Sequence, residues 1–101
     1  MCIAHIGPII ISPYASIGEN CRIHVGVNIG ADARISNAAP IIGNNVYIGP
    51  GAKLFGKIEI ADGIAIGANA VVNKSFGEKD ISIAGVPAKK IGTGGTKGII
   101  Y

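Results

Sequence analysis

Residues 42–72 read IGNNVYIGPGAKLFGKIEIADGIAIGANAVV, and every sixth position holds an aliphatic side chain: Ile42, Ile48, Leu54, Ile60, Ile66 and Val72. The residue after each is mostly small, as at Gly43, Gly49, Ala61 and Gly67. Four positions after each slot stands a second compact or aliphatic residue: Val46, Ala52, Ile58, Ile64 and Ala70. A period of six fits neither the 3.6-residue turn of an α-helix nor the heptad of a coiled coil. It fits a short strand followed by a tight corner. Three hexads then close one triangular coil, and coils stack at the strand spacing of about 4.8 Å.

The same phase runs upstream through Ile11, Ile17, Ile23 and Ile29, with Ala15, Cys21 and Val27 in the second position. The aliphatics point into the prism, and small residues such as Gly18 and Gly30 sit at its corners, where Gly and Asn tolerate unusual backbone angles. Asn20, Asn44, Asn45 and Asp62 fall near such corners. The interval from Ile29 to Ile42 is thirteen residues where two hexads take twelve, so residues 31–40 (ADARISNAAP) are expected to leave the prism as a loop. Loops on a rigid scaffold are common places for binding residues.

The expected fold is therefore all-β, a single-stranded parallel β-helix of about three to four coils. An ordinary sandwich of short strands keeps no six-residue register. Residues 1–10 read as a shortened entry to the helix, 11–77 as the repeat, and 78–101 as a C-terminal extension. There Ile81 to Gly85 form a last strand, and the stretch Gly92 to Gly98 is a flexible tail. Its spacing to Lys97 is wrong for a phosphate-binding loop. A solenoid needs a cap over its first coil, so either the chain is a piece of a longer protein or a partner covers that end.

Composition agrees. The 101 residues suffice for one domain and are 49% hydrophobic. The 21 Ile and 6 Val against a single Leu (Leu54), with 16 Gly, favour turn-dense β structure over a helix bundle. No apolar run approaches the roughly 18 residues of a membrane span. No Lys or Arg precedes the apolar N-terminal part, so it does not read as a signal peptide. Cys2 and Cys21 make no disulfide framework, and a reducing cytoplasmic compartment is expected. The net charge of +3 and five aromatics are far from a nucleic-acid binder. Five lysines, Lys74, Lys79, Lys89, Lys90 and Lys97, lie in the last third and suit a small anionic ligand.

Three segments resemble the serine acetyltransferase branch of the hexapeptide-repeat acyltransferases. They are Gly26-Val27-Asn28-Ile29-Gly30, Val46 to Lys53 with Ile66 to Val72, and Ala84-Gly85-Val86-Pro87-Ala88-Lys89. The resemblance runs from His5 to about Ile91 and implies a left-handed helix; spacing alone does not settle the hand. It further implies a homotrimer with sites between subunits, and acetyl transfer from acetyl-coenzyme A to a hydroxyl acceptor. Counting back from Ile17-Gly18 places His5 on the family's catalytic histidine. A neutral imidazole there suits removal of the hydroxyl proton. His24 is the competing base, at a position the family does not use.

On the donor side, the resemblance assigns coenzyme A contacts to Gly30, Ala31, Gly51, Ala52 and Ala70, where small side chains let a thread-like ligand approach backbone. Lys74, Lys89 and Lys90 would meet its phosphates. No metal is implied. On the acceptor side the chain departs from the family: Ala4 replaces the Asp before the histidine, and Ala38-Ala39 replaces the Arg-His pair before Pro40. A serine zwitterion needs a carboxylate and a cation, so the departures leave a sugar hydroxyl as the alternative acceptor. Two other classes stand beside this one. A zinc carbonic anhydrase on the same fold needs about three histidines, against two here. The other is a non-catalytic β-helix.

Overall fold

Each hexad becomes a strand of two or three residues and a corner. The computed structural model describes residues 2–3, 10–30 and 39–96, with backbone alone for Cys2, Ile3 and Ile10. Its strands are β1 (Cys2–Ile3), β2 (Ile10–Ile11), β3 (Ser16–Ile17), β4 (Arg22–Ile23), β5 (Asn28–Gly30), β6 (Ile41–Ile42) and β7 (Tyr47–Ile48). They continue as β8 (Lys53–Phe55), β9 (Glu59–Ile60), β10 (Ala65–Ile66), β11 (Val71–Val72), β12 (Ile81–Ala84) and β13 (Lys89–Thr93). Among the described residues there is no helix, and so none that is long and apolar enough to cross a membrane.

The strands form the three sides of a prism. The first sheet has the order β1-β4-β7-β10-β12-β13, the second β11-β8-β5-β2 and the third β3-β6-β9. All pairs are parallel except β12 with β13. Register aligns the aliphatic slots into ladders. In the first sheet Ile3, Ile23, Ile48, Ile66 and Ile83 stand above one another. In the second, Ile11, Ile29, Leu54 and Val72 do so, and in the third, Ile17, Ile42 and Ile60. From Ile23 to Ile83 the slots are almost wholly buried, as are Cys21, Val27, Val46, Ala52, Ile58, Ile64 and Ala70 in the second positions. Burial of each large aliphatic contributes about 1.5–3 kcal/mol.

The interruption is longer than the spacing suggests. Ile41 pairs with Glu59 and Lys53 with Val71, 18 residues on, whereas Ser16 pairs with Ile41 and Asn28 with Lys53, 25 residues on. Ile29 lies in the second sheet and Ile42 in the third, one side apart. The step is thus one hexad plus seven residues, not two hexads plus one. The insertion falls between Gly30 and Ile41, and Ala39 and Pro40 at its end are buried.

The C-terminal part also differs from expectation. The ladders run on past Val72, the last in-phase slot: Phe76 bridges to Ile60, and Ile83 pairs with Ile66. Ile81–Ala84 is not the last strand, because β13 folds back antiparallel on it with a bulge at Ile91. Nor is the described part of the Gly-rich tail flexible in the expected sense. Thr96 is fully buried, and its N–H donates to the Gly63 carbonyl at 3.0 Å. Gly95 approaches so closely that a Cβ there would collide with the backbone of Gly63 and Asp80. Gly95 serves close approach here. Lys97 and Gly98 lie outside the described residues.

One corner shows why Asx residues recur. Asn20, Asn45, Gly63 and Asp80 stack there, all with positive φ (57°, 58°, 73° and 57°), a conformation Asn and Asp adopt more readily than other side-chain-bearing residues. Beside them, the Asn44 Oδ1 accepts the Glu19 N–H at 2.8 Å, and the Asp62 Oδ1 accepts the Asn44 N–H at 2.7 Å. Side chains thus link one coil to the next where the strand ladder stops. Gly43 makes room for this: a Cβ would collide with the Asp62 Oδ1 and stand 2.9 Å from the Asp62 nitrogen. Gly43→Ala is expected to destabilise the protein by about 2 kcal/mol, measured by urea unfolding. A loss below about 0.5 kcal/mol would contradict this account of the corner.

Candidate functional site

Strand alternation sends Leu54 and Val72 inward and their neighbours outward. On the outer face of the second sheet this brings up Asn28, Gly30, Lys53, Phe55 and Val71 from three consecutive coils. Register places Asn28 beside Lys53 and Gly30 beside Phe55, with Lys53 beside Val71. With Leu54 they line an open cleft of about 500 Å³, a size suited to a small ligand. Gly30 offers no side chain, so the floor there is bare backbone. Phe55 is 41% exposed and forms an apolar wall.

Lys53 is the one charged side chain lining this cleft among the described residues. Its Nζ donates to the Gly51 carbonyl at 3.1 Å and reaches the Gly26 carbonyl at 3.5 Å. Gly26 and Gly51 are corner residues of successive coils, with φ of 80° and 74°. The lysine curls back from the strand onto that corner. At the far end of the face, the Val71 N–H donates to the Gly85 carbonyl at 3.0 Å and the Ala88 N–H to the Val71 carbonyl at 2.8 Å. Residues 85–88, the turn between β12 and β13, are thus hydrogen-bonded to the edge strand β11, and Val86 projects at 73% exposure.

The sequence-predicted donor residues divide. Gly30 lines the cleft, and Gly51 supplies a carbonyl to the lysine on it. Ala52 and Ala70 are fully buried and belong to the core ladders. Their carbonyls accept the Asn28 and Lys53 N–H groups, so Asn28, Lys53 and Val71 present the surface in their place. Lys74 holds its Nζ 5.5 Å from the centre of the Phe76 ring. Lys90 pairs with Glu78 at 2.9 Å, and Lys89 is exposed on β13. None of these three lysines lines the cleft. His5 and Ala31 lie outside the described residues. His24 is elsewhere: half-buried on the first sheet, its ring centre 5.0 Å from that of Tyr47. Sequence reasoning missed Asn28, Lys53, Phe55 and Val71. The signal was there, in the positions flanking each inward slot. Among the described residues, no three His, Cys, Asp or Glu side chains gather as metal ligands.

No protein-family model matches the chain. A serine acetyltransferase from Synechococcus elongatus is 33% identical over 90 residues, covering 88% of this chain and 36% of that protein. The solved serine acetyltransferase from Brucella abortus strain S19 in complex with coenzyme A is 36% identical, with a TM-score of 0.81, over 85% of this chain and 34% of that one. The β-helix of this chain belongs with those of the serine acetyltransferases. The Neisseria gonorrhoeae serine acetyltransferase solved with serine is 31% identical, with a TM-score of 0.81, over 88% of this chain and 36% of that one.

This chain spans between about a third and two fifths of the length of the curated serine acetyltransferases it matches. The shared part is the left-handed β-helix, as the expected fold required. The insertion after Gly30 and the β12–β13 hairpin are features of this chain's helix that the six-residue period alone did not disclose.

Proposed function

We propose that the chain binds acetyl-coenzyme A along the outer face of its second sheet and transfers the acetyl group to the hydroxyl of a small acceptor, serine in the first place. The cleft supports this reading most directly. It is open and largely apolar, floored by backbone at Gly30, and runs across three coils as a thread-like pantetheine arm requires. The relative solved with coenzyme A adds support.

His5 acts as general base, on the strength of its match to the family's histidine. Its neutral imidazole takes the proton as the acceptor oxygen attacks the thioester carbonyl carbon. The C–O bond forms, the C–S bond breaks, and the imidazolium returns the proton to the departing thiolate. Holding both substrates at one site removes most of the entropic cost of the encounter. The same reading makes the enzyme a cytoplasmic homotrimer with its clefts between neighbouring subunits.

A sugar hydroxyl is the second reading, and Ala39 favours it. This residue is 6% exposed beside the buried Pro40 and brings no cation to an amino-acid carboxylate. The test is release of coenzyme A thiol from acetyl-coenzyme A with L-serine or a panel of sugars. Release with serine supports the first reading, and release with sugars alone supports the second. If the folded protein releases no thiol with any acceptor, acetyl transfer is refuted.

A further inference from the structure

We infer that Lys53 is the polar anchor of the cleft, and that its ammonium holds an amide or thioester carbonyl of the ligand's arm rather than a phosphate. This deepens the proposed function and rests on it. Lys53 stands outward on the middle strand of the face, between Asn28 and Val71, where a ligand crossing the coils must pass. The other lining groups are an amide, a bare glycine and three apolar side chains. A diphosphate brought onto that surface would meet one cation and lose much of its hydration. A slender arm of methylenes and amides matches the surface along its whole length.

The present partners of the ammonium point the same way. Its Nζ spans the carbonyl oxygens of Gly51 and Gly26 at 3.1 and 3.5 Å. An ammonium has three donors and no acceptor. A ligand carbonyl is chemically the same kind of partner as these backbone carbonyls. Lys53 can add it, or exchange the longer contact for it, while staying at the corner. Lys74, by contrast, is drawn to the Phe76 ring and Lys90 to Glu78.

The experiment is titration calorimetry of coenzyme A against the full chain, its Lys53→Met and Lys53→Arg variants, and Lys57→Met as a control for the loss of one exposed charge. Each is measured in 50 mM and in 500 mM KCl, with thermal melts to confirm folding. Lys53→Met is expected to weaken binding about tenfold, within the range of one hydrogen bond to a charged donor. The ratio to wild type should be the same at both salt concentrations, since a close ion–dipole contact is little screened. Lys53→Arg should recover binding to within about threefold, and Lys57→Met should bind as wild type.

Unchanged binding in Lys53→Met overturns the inference. So does a tenfold ratio that falls below twofold at high salt, which marks a phosphate contact. Failure of the wild-type chain to bind coenzyme A instead defeats the proposed function itself. If Lys53→Met melts well below wild type, Lys53→Arg carries the test: binding more than threefold weaker in that variant, once shown folded, overturns the inference.

Discussion

Ile48→Ala is expected to cost about 3–4 kcal/mol of unfolding free energy. Ile48 is fully buried in the middle of the first sheet, stacked between Ile23 and Ile66. Truncation removes the transfer free energy of the lost carbons and leaves a cavity. The cavity cannot close, because the coils above and below are held at strand spacing by backbone hydrogen bonds, Gly49 N–H to Ile66 carbonyl at 2.8 Å and His24 N–H to Ile48 carbonyl at 3.3 Å. Transfer of the lost carbons alone would cost less; the rigid stack adds the cavity term. Urea unfolding measures it, with Ile41→Ala as reference. Ile41 precedes a slot on the outer face of the third sheet, is 49% exposed, and should cost under about 1 kcal/mol. Similar losses at both positions would refute the division into inward and outward positions.

The second large effect is on chemistry. His5→Ala is expected to lower kcat for acetyl transfer by about 10²- to 10⁴-fold, the usual contribution of a positioned general base. KM for acetyl-coenzyme A should change by less than about threefold, because the proposed donor site is the second-sheet face and not His5. Steady-state kinetics separate the two, and a mainly KM effect would mean that His5 binds rather than takes a proton. His24→Ala should leave kcat within about twofold, since His24 packs on Tyr47 across the first sheet. A collapse of kcat in that variant would move the base to His24.

The ladder was legible in the sequence because its cause is local. Each slot needs an aliphatic residue, recurring in phase from Ile11 to Val72, and many corners need a residue that tolerates positive φ. Asn20 and Asn45 were readable as corner residues for that reason, and they do adopt the left-handed conformation. What was not legible depends on contacts between distant residues. The fold-back of β13 rests on pairing with Ile81–Ala84, and the docking of Thr96 rests on a carbonyl 33 positions earlier, at Gly63. The cleft failed in an instructive way. Small residues suggested ligand contact at Ala52 and Ala70, but smallness there serves packing inside the prism. The period places the positions beside the slots on the outer face, but their residue types do not repeat, because the surface can vary without disturbing the core.

The seven inserted residues between Gly30 and Ile41 have a consequence for how such a protein can change. The chain leaves the second sheet at Gly30 and rejoins the third at Ile41, and Ile42 still stands in line with Ile17 and Ile60. The prism registers where the segment departs and returns, and is indifferent to its length. Doubling the length of a connection between fixed ends costs only about 0.6 kcal/mol in closure entropy, less than one buried Ile contributes. The connection at that corner can therefore gain or lose residues with every rung of the scaffold inherited intact.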